Sequence, residues 1–236
     1  MTSPQPQENN KIKGRLVLFR HGQTDYNAQS LITGIADAQL TEVGRQQALE
    51  AGRLLRGIPI HKAYSSTLSR AFNTASLALG QARQPHLEED DGTFRITQSA
   101  DIVEIDSGDF TGRSHKTDPE IMSYKRDFFT GPPNGESYAV ALARVQRFFD
   151  NEVMPRIERG ETVMVVCHAG IVRVFDYVLG LEQVPVKGTP PQAGKGRSIH
   201  NAAPVVYDFI DGKLVSETVL GTNENKPAAP RPPKAG

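Results

Sequence analysis

The stretch "LVLFRHGQTDYN", residues 16–27, decides how the rest of the chain is read. Leu16, Val17, Leu18 and Phe19 make a short continuous apolar run, the pattern of a strand buried on both faces. Arg20, His21 and Gly22 end that run, and Asn27 follows six places after the histidine. A strand reaching the surface, with a solvated arginine and a turn glycine, accounts for the triplet taken alone. Its meaning depends on what stands at the ends of the other strands.

Moving outward, Thr41 is placed to cap a helix in which Ala48, Ala51 and Leu55 recur at helical spacing, ended by Gly57 and Pro59. "KAYSS" (62–66) reads as a second strand, and "TLSRAFNTASLAL" (67–79) as a helix stopped by Gly80. Residues 136–158 read as one long helix with Tyr138, Leu142, Val145, Phe149 and Val153 on one face. "TVMVVC" (162–167) is a β-branched apolar strand, and "IVRVFDYVLG" (171–180) resumes helix. "PVVYDFI-DG-KLVSETVL" (204–220) is a hairpin, its Asp211-Gly212 suited to a type I′ turn. This alternation predicts an α/β fold, a three-layer α/β/α sandwich around a mostly parallel sheet. Ligands of such sheets gather at the carboxyl ends of the strands.

The chain has 236 residues, 38% of them hydrophobic, enough for a core in one domain. That domain is expected over 14–222. A polar N-terminal tail (1–13) and a Pro-rich C-terminal tail (223–236) both read as disordered. With 27 basic and 27 acidic side chains, no overall charge favours nucleic acid or an anionic membrane. No apolar stretch approaches the ~20 residues of a membrane span, and "MTSPQPQENNKIKG" lacks the apolar region of a secretory signal. The single cysteine, Cys167, rules out an internal disulfide and suits a reducing compartment. A cytoplasmic location is expected, with no nucleic-acid or membrane partner; a homodimer is left open.

Three strand ends now compare. One carries Arg20-His21-Gly22, one leads into the helix bearing Arg70, and one ends in Cys167-His168-Ala169-Gly170. Each has a plain structural explanation: Arg70 as a solvated helix residue, His168 as a satisfied core histidine. Gathered at one sheet edge, two arginines and two histidines point to one site. A divalent metal fits poorly, because Arg20 repels it and no neighbouring carboxylate has ligand spacing. A phosphoryl group fits well. Guanidinium forks match phosphate oxygens, and an imidazole kept neutral by nearby positive charge is an adequate nucleophile towards phosphorus.

Further blocks join the first: "LTEVGRQQA" (40–48), "YSSTLSRAFNTA" (64–75), "EIDSGDFTG" (104–112), "PPNGES" (132–137) and "HAGIVR" (168–173). Together they resemble the histidine phosphatase superfamily, whose best-known branch is the cofactor-dependent phosphoglycerate mutases, over roughly residues 14–220. The resemblance implies a phosphoglycerate mutase-like fold and a small phosphorylated substrate. No metal is expected, since the arginines already bring positive charge, and no cofactor is expected of a phosphatase. It makes His21 the nucleophile that becomes phosphohistidine, has Arg20, Arg70 and His168 hold the phosphoryl oxygens, and puts Asn27 at the same pocket. Glu104, followed by Gly108 and Gly112 at the family's intervals, matches the proton donor and acceptor, although Asp106 and Asp109 stand close by. A leaving alkoxide needs such a proton.

Three rivals remain. Cys167 to Arg173 spells Cys-x5-Arg, the loop of cysteine-dependent phosphatases. However, Val174 stands where those enzymes usually have Ser or Thr, and Arg20, His21 and Arg70 are left unexplained. A non-catalytic phospho-ligand binder should lack at least one catalytic group, and all are present. The mutase is the serious competitor. Only residues 113–134, the expected cap segment, lie between Gly112 and Gly135, where the glycolytic mutases carry a long basic insertion. Gly170 also stands where those mutases typically carry Asn. The expectation is therefore a phosphomonoester hydrolase rather than a mutase. On the other side, Thr33-Gly34 resembles the pair that mutases use near the substrate carboxylate. Lys116, Lys125 and Arg126 could meet a second anionic group, or simply form a solvated face. "GKGRSIHN" (194–201), with Lys195, Arg197 and His200, reads as a lid or an ordinary loop.

Overall fold

In the computed structural model, which describes residues 11–124, 127–188 and 198–221, the run around Phe19 is the strand β1, Lys13–Arg20. The other strands are β2 (Lys62–Ser66), β3 (Ile96–Ser99), β4 (Thr162–Cys167), β5 (Val205–Ile210) and β6 (Lys213–Val219). They form one sheet in the order β3–β2–β4–β1–β5–β6. The pairs β3–β2, β2–β4 and β4–β1 are parallel, and β5 and β6 close the far edge as an antiparallel hairpin. Every residue of β4 is buried, as its unbroken β-branched run requires of a strand flanked on both edges and covered on both faces.

The helices are α1 (Asp25–Ala28), α2 (Glu42–Leu54), α3 (Ser69–Ala82), α4 (Pro119–Ser123), α5 (Tyr138–Phe148), α6 (Met154–Ile157) and α7 (Ala169–Val178). Strand alternation divides the core between two faces. Leu16, Leu18, Val163, Val165 and Cys167 cluster with Val145 and Phe148 of α5 and Ile171 and Phe175 of α7. Val17, Phe19, Met164 and Val166 cluster with Ala51 of α2, Leu55, and Ala71, Ala75 and Ala78 of α3. Each fully buried Leu, Val or Phe contributes about 1.5–3 kcal/mol. The two cores thus anchor from both sides the strands whose ends carry the site. This is the expected α/β/α sandwich.

The elements depart from the sequence expectations in four places. The helix α3 does not stop at Gly80 but runs to Ala82, and Arg83 ends it in the left-handed region (φ 58°). A glycine inside a helix costs only about 1 kcal/mol, and Gly80 packs against the Phe94 ring. The long helix over 136–158 starts at Tyr138 on a Ser137 cap and is broken by a π-helical turn, Phe149–Val153, before α6. Pro155 has no N–H to give to the carbonyl four residues back, which disfavours a regular α pattern there. The helix after β4 spans 169–178 rather than 171–180. β3, with one apolar residue in "ITQS", is a strand the pattern did not reveal.

The strands expected over 62–66 and 162–167 keep those bounds, and two local details hold as well. The side chain of Thr41 caps α2 by accepting from the Gly44 amide, 3.0 Å away. Asp211 and Gly212 both have positive φ (49° and 74°), as a type I′ turn demands. The expected tails fall outside the described residues, apart from 11–13, and β1 begins at Lys13.

Candidate active site

Strand register builds the site. Arg20 of β1 lies opposite Cys167 of β4, and Val166 lies opposite both Phe19 and Ser65. Residues 20–22, the turn into α3 and His168 therefore leave the sheet at one edge. The His21 amide donates to the Cys167 carbonyl (3.0 Å), and the His21 and His168 rings stand 5.2 Å apart. Gly22 is needed for space. A Cβ there would run into the carbonyl of Gly44, and one on Gly44 would run into the carbonyl of Gln23. The N-terminal turn of α2 thus rests directly on the chain that follows β1. The Gly22 amide also donates to Thr74 Oγ1 of α3 at 3.0 Å.

His21 Nδ1 lies 2.7 Å from the Gly22 carbonyl oxygen. A carbonyl only accepts, so Nδ1 carries the proton and Nε2 keeps its lone pair. Burial, then the charges of Arg20 and Arg70, hold the His21 pKa well below the usual histidine range, which leaves the ring neutral. His168 is fully buried, and burial followed by the neighbouring His21 and arginines lowers its pKa in the same direction. Arg70, 1% exposed, donates from its terminal nitrogens to the carbonyls of Ala36 (2.6 Å) and Gly34 (2.8 Å). Burial pushes its pKa down to about 10, partly offset by Glu104, so it stays charged at neutral pH. Burial also lowers the pKa of Arg20, again partly offset by Glu104.

Arg20 Nε, Arg70 Nε and both ring nitrogens of His168 are buried with no hydrogen-bond partner among the described residues. An unpaired buried donor costs about 1–3 kcal/mol. A compact anion with several acceptor oxygens would satisfy Arg20 Nε, Arg70 Nε and the one N–H of the neutral His168 ring together, and a phosphoryl group is such an anion.

Glu104 faces this cluster. Its Oε2 accepts from the Gly170 amide (3.2 Å) and its Oε1 from the Ile105 amide (2.9 Å). The loop that carries it is braced by Arg144 of α5. That guanidinium donates to the Asp101 carbonyl (2.7 Å), the Glu104 carbonyl (3.4 Å) and both carboxylate oxygens of Glu136 (2.8 and 2.7 Å). Asn27 is half-buried. Its Oδ1 accepts from the Thr24 amide (3.2 Å) and from Asn201 Nδ2 (3.4 Å), and Asn201 Nδ2 also donates to the His21 carbonyl (3.0 Å). Arg144 and Asn201 were not singled out from the sequence. Both act on backbone carbonyls, and no residue pattern marks that role.

Of the weaker candidates, Gly34 is buried with its carbonyl on Arg70, Thr33 is half-buried beside it, and Lys116 is exposed. The start of the cap segment runs along residues 30–32, through Ile32 to the Arg113 carbonyl (2.9 Å) and His115 to the Ser30 carbonyl (3.2 Å). It therefore flanks Thr33. Lys125, Arg126, Lys195 and Arg197 lie outside the described residues, and His200 is exposed. The Cys-x5-Arg reading does not hold. Cys167 is part of the apolar core on one sheet face, and Ala169 already begins a helix on which Arg173 is exposed, so no loop wraps a thiolate. Among the described residues no group of three His, Cys, Asp or Glu could hold a metal ion, and no helix is long and apolar enough to cross a membrane.

The chain is 34% identical over 219 residues to the 2,3-bisphosphoglycerate-dependent phosphoglycerate mutase of Rhizobium johnstonii, covering 89% of this chain and 97% of that one. It is 31% identical over 218 residues to the protein of the same name from Bartonella bacilliformis, covering 89% and 99%. Among solved structures it is similar to a mycobacterial glucosyl-3-phosphoglycerate phosphatase, with 28% identity, a TM-score of 0.63 and coverage of 82% and 92%. The curated names favour the mutase over the hydrolase expected from the sequence. They also remove the argument from a short cap segment, because these mutases align over 97% and 99% of their length within about this chain's own span. The family model of the histidine phosphatase superfamily (branch 1) matches residues 16–219. A match of that extent reaches all six strands of the sheet and the buried cluster of Arg20, His21, Arg70 and His168, and the chain belongs to that superfamily.

Proposed function

We propose that the protein moves a phosphoryl group on a phosphoglycerate through phosphorylated His21, as a 2,3-bisphosphoglycerate-dependent mutase. The observation that carries this reading is the kinship with mutases over nearly their whole length. His21 Nε2, its lone pair directed outward by the Nδ1–Gly22 bond, attacks phosphorus. The bond from phosphorus to the leaving oxygen breaks as Glu104 gives that oxygen a proton. Arg20, Arg70 and one N–H of His168 hold the three remaining oxygens as charge moves onto them. In the reverse half, Glu104 takes the proton of the accepting hydroxyl, and the bond from phosphorus to Nε2 breaks. The bisphosphoglycerate supplies the first phosphoryl group. The unpartnered nitrogens of Arg20, Arg70 and His168 fit that group. Thr33, Gly34 and Lys116 are the residues proposed to meet the substrate's carboxylate side, with Lys125 and Arg126 assigned there from the sequence alone.

Hydrolysis is the second reading, favoured by the 28% identity to a solved phosphatase; water then replaces the accepting hydroxyl. Feeding 3-phosphoglycerate with a catalytic amount of 2,3-bisphosphoglycerate separates the two. Rapid isomerisation with little free phosphate is expected, and steady phosphate release without isomerisation would replace the mutase with the hydrolase.

A further inference from the structure

Gly170 is the second residue of α7, two places after His168. It is not among the positive-φ glycines, so its backbone would accept any residue. A glycine in a helix costs up to about 1 kcal/mol relative to alanine, so another reason must hold it there. A Cβ built on Gly170 would stand 2.5 Å from Glu104 Oε1, 3.0 Å from Ile105 Cδ1 and 3.2 Å from Ile105 Cγ1. The Gly170 amide meanwhile donates to Glu104 Oε2 at 3.2 Å, and the Ile105 amide donates to Oε1 at 2.9 Å. The carboxylate therefore lies flat against the first turn of α7, pinned by one main-chain amide from each side. With Ile105 packed beside it in this chain, it occupies the volume that a side chain at 170 would fill.

We propose that Gly170 is a positioning residue for Glu104, fixing the carboxyl group through its own amide and through the space its missing Cβ leaves. A methyl group at 170 has two ways to be accommodated. Ile105 can rotate, which costs packing, or the carboxylate can swing off the helix and lose the Gly170 amide. The shorter contact is to the carboxylate, the flexible end of its chain, so the carboxylate moves first. Because α7 starts directly after His168, the same turn sets the distance between the proton donor and the phosphoryl-binding histidine. The inference rests on the phosphohistidine reading and holds whether a hydroxyl or water completes the cycle.

The test is Gly170→Ala, read by rapid-quench single-turnover formation of phosphohistidine from two kinds of donor. p-Nitrophenyl phosphate has a leaving group that needs no proton. 2,3-Bisphosphoglycerate and 3-phosphoglycerate have alkoxide leaving groups that do. General acid catalysis supplies about 10²–10⁴ in rate. The variant should therefore lose about 30-fold or more with the alkyl donors and less than about threefold with p-nitrophenyl phosphate. Glu104→Gln should show the same selectivity, and the double variant should be no slower than Glu104→Gln alone, since both changes remove one effect. Equal loss with both kinds of donor, no loss, or additive losses in the double variant would overturn the proposal. If Gly170→Ala does not fold, Ile105→Val/Gly170→Ala relieves the apolar contact, keeps the one to Glu104 and is read the same way. A wild-type protein that gains no phosphohistidine from any donor overturns the phosphohistidine reading itself, a result distinct from the failure of this inference.

Discussion

The imidazoles of His21 and His168 face each other at 5.2 Å, tilted by 58°, both buried and both held neutral among the guanidinium groups of Arg20 and Arg70. Neutrality is what a nucleophile beside an anion requires, and it has a consequence for pH. The usual histidine pKa is near 6.5. As pH falls through that value the unfolded chain takes up protons on these two rings and the folded chain does not. The unfolded state then binds more protons, so stability falls with pH, the slope for each ring rising to about 1.4 kcal/mol per unit well below 6.5. Urea midpoints at pH 7.5 and 5.5 should show this loss, and His21→Gln should reduce it.

Phosphate should become attached to the protein after brief exposure to substrate, in an acid-labile and alkali-stable form. His21→Ala should abolish it. Because His21 stays neutral below the usual range, the rate of labelling should not drop as pH is lowered from 7.5 to 6.5. A decline centred on 6.5 would mean that the ring titrates as it does in water.

Arg70 holds two carbonyls with its outer nitrogens and presents its buried Nε to the pocket. Arg70→Ala should cost on the order of 10²-fold or more in phosphoryl transfer and should also lower stability, since the Gly34 and Ala36 carbonyls lose their donor. Arg70→Lys should recover little of either, because one ammonium cannot reproduce the fork. Steady-state rates and thermal melts of the two variants check this; a lysine variant close to wild type would place the phosphoryl group elsewhere.

Cys167→Ala should keep most of the activity and cost about 1 kcal/mol in stability, as for a small deletion in a well-packed core. The thiol is buried among Leu18, Val165 and Ile171 rather than in a phosphate loop. Inactivity of a folded Cys167→Ala protein would reopen the thiolate mechanism.

Turnover is expected to survive dialysis against a strong chelator, since two arginines bring the positive charge that a divalent ion would otherwise supply. Activity that returns only when a divalent ion is added back would require a different account of the pocket.

The parts of this protein legible in its sequence are those where one residue type answers one local demand. β1 and β4 could be read because a strand buried on both faces must be apolar at every position. Arg20, His21 and His168 could be read because charged and titratable groups at such strand ends are out of place for stability alone. β3 escaped because an edge strand of four residues with a single apolar side chain has no such demand to meet. Gly80 misled because a helix anchored by its apolar face tolerates one glycine. Arg144 and Asn201 were invisible for another reason: each reaches the site through a main-chain carbonyl, of Glu104 and of His21, which every residue has. The length of the cap segment does not separate hydrolase from mutase, because some mutases are about as short as this chain.

Gly22 and Gly44 meet backbone to backbone where α2 rests on the end of β1. Neither offers a side chain to the chemistry, and the Gly22 carbonyl that holds His21 Nδ1 is one any residue would have, so the triplet Arg20-His21-Gly22 carries two separable kinds of information. Its histidine reports reactivity, and its glycine reports how a helix is seated. The two can be lost independently in descent. A diverged copy of this gene product that kept both glycines but replaced His21 would retain the scaffold and the arginine pocket while giving up the nucleophile. On the function proposed above, such a copy would bind a phosphoryl group without transferring it.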